Sequence, residues 1–434
     1  MGFEAVLVQR VIMPTNDSNT LRAPRTMGER ETIAMMALVM AMQALAVDAM
    51  LPALGDIATD LGVADPNRRQ LVVGTFLLAS GFASLVPGSL ADRYGRRPVL
   101  LTCMVIYILF SLACALVTSF DGMLAMRVGQ AIGCGGLAVL PGAIIRDRFS
   151  GDQMAKQMSI ISVIFMVVPM LAPSIGQVVL LFAGWRWIFV LLAVLAMGMA
   201  TWLYIRLPET LHPEYRQPIR PMTIAKNMAG AATNRSAIGY VLGGSLTFGA
   251  MIGYVNSSQQ LVGEHFGAGK MFPVLFGFSA LMMACASFSN SRIVERFGAR
   301  RVSHTAVIAF ILVSALQTYS SSLEGQTLWQ FMPLMITNMI LIGFIGANFG
   351  SIALQPFERT AGSANSMHAF LRMVIGSVIG IFVGQAYDGT AHPLALALLT
   401  AGVLSLLLVL FSERGKLFRR LHPPGTPRPI VLEH

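Results

Sequence analysis

The sequence predicts an all-α membrane protein: twelve transmembrane helices in two six-helix halves, with both termini cytoplasmic. Three observations carry this reading. The 434 residues are 55% hydrophobic and only 12% charged, and the mean hydropathy is +0.66, a composition that cannot cover a soluble surface of this size. Apolar stretches of about 18 or more residues, the length that crosses a bilayer, recur twelve times. The basic residues collect in alternate loops.

In order, the apolar windows are 34–54, 71–90, 99–116, 123–145, 158–182 and 185–205, then 238–262, 271–293, 302–319, 328–352, 362–386 and 394–411. They are rich in Gly, Ala, Ser and Met and lack two-residue alternation, so helices rather than barrel strands satisfy the backbone in lipid. The stretch before Glu31 is polar, without the apolar core of a signal peptide, so the first window is read as a retained span. With the N-terminus inside, 25 of the 31 basic residues fall on the cytoplasmic side, four (Arg68, Arg69, Arg186 and Lys270) on the other, and Arg127 and Arg372 within windows. That is the asymmetry of the positive-inside rule. The net charge of +10 is therefore accounted for by topology, and no nucleic-acid partner is implied.

The longest interior polar stretch, 206–235, holds Pro208, Pro213, Pro218 and Pro221 and reads as a cytoplasmic linker. It divides the chain into a tail (1–31), a first half (32–205), the linker, a second half (236–412) and a C-terminal tail (413–434) whose last residues, Leu432 to His434, resemble a tag remnant. "LADRYGRRPV" from Leu90 is echoed by "IVERFGARRV" from Ile293, with Asp92 matching Glu295 and Gly95 matching Gly298 at an offset of 203. Halves repeated in the same orientation imply a cavity at their interface, opened to alternate sides by rocking. Cys103, Cys114, Cys134 and Cys285 fall in apolar windows without metal-ligand spacing and read as packing residues. No GxxxxGK[ST], HExxH or GxSxG stretch occurs, so no cofactor, ATP-driven step or embedded enzyme is expected.

The loop residues Gly88, Leu90, Ala91, Asp92, Arg93, Gly95, Arg96 and Arg97 resemble the signature of the major facilitator superfamily of transporters, and the twelve windows with a central linker extend that resemblance over nearly the whole chain. The resemblance implies a cytoplasmic gate formed by these residues with Glu295 and Gly298. Asp92 would cap a helix N-terminus of the opposite half while the arginines pair with acidic neighbours. "RVGQAIGCGG" from Arg127 is similar to the fourth-helix motif of drug:proton antiporters. "VVPMLAPSIGQ" resembles their fifth-helix motif, with Pro169, Pro173 and Gly176 in place and Gln177 where a second glycine is usual. With "AVDAMLPAL" and "MIGYVNSSQQLVGEHFG", these residues resemble the bicyclomycin-resistance (Bcr/CflA) group of multidrug exporters.

Ionisable groups within a membrane are costly and so become functional candidates. Asp48 lies about 14 residues, or roughly 21 Å, into the first helix, and Arg127 about four residues, or roughly 6 Å, into the fourth. In a core about 30 Å thick they fall at similar depth and could meet if those helices are neighbours. Asp48 would then take up a proton outside and release it inside, in competition with cargo, unless the two form a static pair that fixes packing. His368 and Arg372 share a face of the eleventh helix. His368 is a second candidate proton carrier. The related exporters usually carry an uncharged residue where Arg372 sits, so this arginine would favour anionic or zwitterionic cargo, unless both residues line the cytoplasmic vestibule. Gln43, Tyr254, Asn256, Gln259, Asn338 and Asn348 are cavity candidates, although polar residues of this kind more often make helix–helix hydrogen bonds than ligand contacts. The 28 methionines suit adaptable apolar walls.

The combined expectation is a monomeric, proton-coupled exporter of small amphiphilic compounds in a bacterial inner membrane. A narrow-specificity metabolite exporter or proton symporter for an anionic or zwitterionic cargo is the alternative.

Overall fold

The computed structural model describes residues 27–149, 151–211, 214, 222, 229–230, 233–357 and 361–418. The N-terminal tail up to residue 26, most of the linker and the end of the C-terminal tail, including the suspected tag, lie outside them. Among the described residues all regular structure is helical.

The first half comprises α1 (Glu29–Asp48), α2 (Leu54–Asp60), α3 (Leu71–Ala83), α4 (Pro87–Tyr94), α5 (Arg96–Leu116), α6 (Phe120–Arg148), α7 (Gly151–Phe182) and α8 (Arg186–Arg206). The second comprises α9 (Arg235–Ser258), α10 (Phe272–Phe297), α11 (Ala299–Ser321), α12 (Leu328–Leu354), α13 (Ala361–Gln385) and α14 (His392–Ser412). Ten helical segments are long and apolar enough to cross a membrane, and the pair Asn67–Ala83 and Pro87–Tyr94, bent by 41°, brings the number to eleven. The twelfth expected span falls on α7, whose apolar part is Val167–Phe182.

Three spans are interrupted where the windows read as continuous, each for a local reason. In the first, Pro52 has no N–H to offer the carbonyl four residues back, which is that of Asp48, so α1 ends there and a 3-10 turn (Leu51–Ala53) leads into α2. In the second, α3 and α4 meet at Ser84–Val86, just before Pro87. In the seventh, α9 passes at Gln259 into a π-helical turn, Gln259–His265, a geometry that occurs mostly at functional sites.

Small residues bring the helices together. Between the halves, α3 packs on α13 and α7 on α10. A Cβ at Gly74 would lie 2.3 Å from the Ile381 side chain, and one at Gly277 would lie 2.7 Å from the Met170 carbonyl oxygen. Cys103, Cys114 and Cys134 are buried packing residues as expected, whereas Cys285 is exposed.

Candidate functional site

Asp48 is buried at 6% exposure where α1 breaks, and among the described residues nothing hydrogen-bonds or ion-pairs with its carboxyl. The pairing with Arg127 expected at similar depth does not form, although α1 and α6 are neighbours. Arg127, fully buried, is already held. Its Nε donates to the Val72 carbonyl (3.1 Å), one terminal nitrogen donates to Gln130 Oε1 (2.5 Å), and the guanidinium lies 4.0 Å from the centre of the Phe76 ring. Gln130 in turn donates to Ser111 Oγ (2.7 Å). The other terminal nitrogen of Arg127 has no hydrogen-bond partner among the described residues, so the guanidinium is held in place by the aromatic face, the carbonyl and the amide rather than by a carboxylate, and Asp48 is left without a countercharge.

The break at Asp48 is clasped by the fifth span. A Cβ on Gly176 would sit 1.8 Å from the Ala49 carbonyl oxygen, so only glycine lets α7 approach the residue beside Asp48. Pro169 and Pro173 lie inside α7, about two turns and one turn earlier. Gln43, also on α1, donates to Ser80 Oγ at 3.4 Å.

In the second half the cavity candidates divide. Among the described residues, both amide atoms of fully buried Asn256 lack a hydrogen-bond partner, as does Oε1 of Gln259, while Tyr254 stacks on Phe276 with ring centres 6.1 Å apart. Buried amide groups left unpaired cost on the order of 1–3 kcal/mol each, which sets Asn256 apart from the paired amides of this half. Asn338 and Asn348 make the helix–helix hydrogen bonds that were the other reading of these residues. Asn338 donates to Gln317 Oε1 (2.7 Å) and accepts from Ser314 Oγ (3.2 Å), and Asn348 donates to Asn290 Oδ1 (2.8 Å). Polar side chains in apolar surroundings find one another across adjacent helices.

His368 and Arg372 share a face of α13 but have different surroundings. The His368 ring is so close to α12 that a Cβ on Gly350 would lie 3.4 Å from its Cε1, and it lines a small recess with Ile238, Val241 and Leu354. Arg372 is exposed, its guanidinium lies 4.9 Å from the centre of the Phe248 ring, and no carboxylate among the described residues pairs with it.

The signature loop closes on its own half. Arg96 binds Asp92 (2.5 Å) and Asp147 (3.0 Å), so Asp92 is engaged by its neighbour one helical turn away and does not cap the opposite half as expected. Arg97 donates to the Tyr204 carbonyl (2.6 Å), and Arg93 lies over the Tyr94 ring; neither pairs with an acid among the described residues. Gly95 takes φ 106° and ψ 154°, conformations closed to side-chain-bearing residues, and leaves space for Glu209, whose carboxylate accepts from the backbone N–H groups of Arg96 (2.8 Å) and Arg97 (3.2 Å). Gly298, its repeat partner, adopts φ 84° and ψ 145°, and Glu295 precedes it near the end of α10. Gly88 lies early in α4, within reach of Val139.

At the opposite end the two halves bond to each other. Arg69, only 6% exposed, donates to Glu264 (2.7 Å), and the amides of Gln70 and Gln260 are hydrogen-bonded. Asn67 donates to the carbonyls of Gln385 (3.2 Å) and Tyr387 (2.7 Å), while Gln385 donates back to the Asn67 carbonyl (2.7 Å). The π turn spaces Gln260 and Glu264 so that both meet this cluster. These residues were not anticipated from the sequence. The available signal was Arg69 itself, a basic residue on the side that otherwise carries few.

Residues 36–381 match the model of the Major Facilitator Superfamily. The chain is 29% identical over 378 residues to a bicyclomycin resistance protein homolog of Haemophilus influenzae, covering 86% of this chain and 94% of that protein. It is 28% identical over 371 residues to the multidrug resistance protein MdtL of Klebsiella pneumoniae, covering 84% and 91%. The nucleoside transporter NupG has a similar fold, with TM-score 0.67, 16% identity, and coverage of 88% of this chain and 99% of its own. A repeated half, a glycine-turned loop in each repeat and a family match spanning both halves lead to one conclusion: this chain is a multi-pass membrane protein belonging to the Major Facilitator Superfamily of transporters.

Proposed function

We propose that the chain is a twelve-span, proton-coupled exporter of small amphiphilic compounds, working as a monomer in a bacterial inner membrane with both termini cytoplasmic. The observation that carries the proposal is Asp48, a buried carboxyl with no partner at a break in its helix. An isolated buried anion is costly, and taking up a proton removes that cost. Proton binding at Asp48 therefore changes the energy of the break that Gly176 clasps, which couples protonation to the packing of the first and fifth spans. The cross-half bonds around Arg69 and the self-contained loop at Gly95 support reading this state as sealed outside, with the cytoplasmic end free to open. The names of the bacterial relatives favour antibiotics or similar compounds as cargo and the inner membrane as the location.

A second reading, export of a defined anionic or zwitterionic cargo, is favoured by Arg372, a cation without an acidic partner among the described residues. Wild-type protein and Asp48→Asn are to be compared in proteoliposomes under an imposed pH gradient, and in a pump-deficient bacterium challenged with antibiotics, dyes and amino acids. Gradient-driven transport is expected only with Asp48. Equal gradient-driven transport by both would remove Asp48 as the proton site. Arg372→Gln separates the cargo readings: lost preference for anions supports the second, and unchanged preference rejects it.

A further inference from the structure

The repeat carries a paired feature outside the charged sites. On the first half, Leu90, Tyr94, Val99, Thr102 and Ile106 line an apolar groove of about 790 Å³. On the second half, Ile293, Phe297, Val302, Thr305 and Ala309 line another of about 490 Å³. Each residue of the second set stands 203 positions after its counterpart in the first. The mouths repeat as well. Arg93 lies 5.2 Å from the centre of the Tyr94 ring, and Arg296, 203 positions on, lies 5.4 Å from the centre of the Phe297 ring. Both arginines are exposed, and neither has a carboxylate or hydrogen-bond partner among the described residues.

We infer that these are twin binding sites for phospholipids with an anionic head group, one acyl chain lying in each groove and the phosphate held by Arg93 or Arg296. The apolar lining suits a hydrocarbon chain. The groove ends at the signature loop, where each half passes from apolar helix to basic loop, so a chain lying in it places its head group beside the arginine. A guanidinium resting on an aromatic ring keeps donors free for a phosphate, which it can bind through two parallel hydrogen bonds. The two sites differ in room, and one difference narrows the second. Where the first groove has Pro98, the second has Arg301, whose Nε donates to the Phe418 carbonyl (3.1 Å), and the Phe418 side chain helps line the smaller groove. The first groove is therefore the roomier site.

The test is native mass spectrometry of the full chain in detergent, titrated with phosphatidylglycerol or with phosphatidylcholine of the same acyl chains. Up to two phosphatidylglycerols are expected to be retained in preference to phosphatidylcholine. Arg93→Gln and Arg296→Gln should each weaken retention of one of them by roughly fivefold, and the double variant should abolish the preference. Filling the grooves with Thr102→Trp and Thr305→Trp should reduce retention of both lipids. These two variants are read only if their melting temperature in detergent matches wild type, and the surface arginine variants decide the question independently. Equal retention of the two lipids, a preference that survives the double variant, or equally effective competition by chainless glycerol phosphate would overturn the inference.

Discussion

Asn67, Arg69 and Gln70 bond across the halves to Gln385, Glu264 and Gln260 at one end of the molecule, whereas at the other end Asp92, Arg96 and Asp147 bond to one another and to Glu209 and Thr210 at the start of the linker, not to the second half. The second half repeats the self-contained pattern. Glu413, just beyond its last helix, accepts from Arg300 Nε and from the Tyr240 hydroxyl, both at 2.7 Å. The end that holds the halves together is the one poorer in basic residues, so charge density does not identify where the halves hold each other. Partner choice does: an arginine satisfied within its own half leaves the halves free to separate, while one satisfied across the interface holds them together.

The largest effect is expected at the joint between the two ends. Gly176→Val would drive a side chain into the Ala49 carbonyl, where the obstacle is backbone rather than a flexible tip. A loss of about 3 kcal/mol in stability is expected, the upper range for overpacking, seen as a lowered melting temperature in detergent together with lost transport. Retained stability and transport would show that α7 can move away from α1 freely.

Next comes the self-contained end. Gly95→Ala imposes a side chain on a backbone conformation open only to glycine, at a cost of about 1–3 kcal/mol. Its Cβ would also fall 2.4 Å from Glu209 Oε2, displacing the cap on α5. Thermal unfolding compared with Glu209→Gln, which keeps the glycine but weakens the cap, separates these two contributions. A smaller shift is expected from Arg69→Ala at the cross-held end. Glu264 is about half exposed, so solvent screens the pair, and about 1 kcal/mol is expected, or roughly a fivefold move toward states open at that end. Distances between spin labels flanking residues 67 and 264 should lengthen in the variant, and an unchanged distribution would mean that the backbone bonds of Asn67 and Gln385 suffice.

The smallest effect depends on pH. Burial pushes the Glu413 carboxyl up, but the hydrogen bonds from Arg300 and Tyr240 outweigh it and hold the group below its ordinary value of 4.5. A carboxyl lowered on folding stabilises the fold above its unfolded value and loses that contribution as pH falls through its folded value. Wild type should therefore exceed Glu413→Gln in melting temperature at pH 7, with the gap closing below about pH 4.5. A gap that stays constant on acidification would indicate that the hydrogen-bond geometry matters and the charge does not.

Helix positions, the repeat and the family resemblance were legible from the sequence because each depends on local pattern: apolar runs, an offset of 203 and a loop motif. Asp48, Gly176 and the glycines of the loops were likewise singled out from residue type. The breaks in three spans were less legible. Pro52 and Pro87 are visible, but proline is tolerated in membrane helices, and whether it interrupts one depends on what packs alongside.

What the sequence determined by itself is therefore the membrane-spanning helical bundle, its duplication and the short inventory of buried charges, since lipid imposes those constraints on each segment independently. Only the tertiary structure decided which charges are satisfied. Arg127 found Val72, Gln130 and Phe76 instead of Asp48, Asp92 found Arg96 instead of the other half, and Asn338 and Asn348 found partners on adjacent helices. Hydrogen bonds and ion pairs act over a few ångströms, so helices at matching depth still leave the pairing open until side-chain direction and neighbouring faces are set.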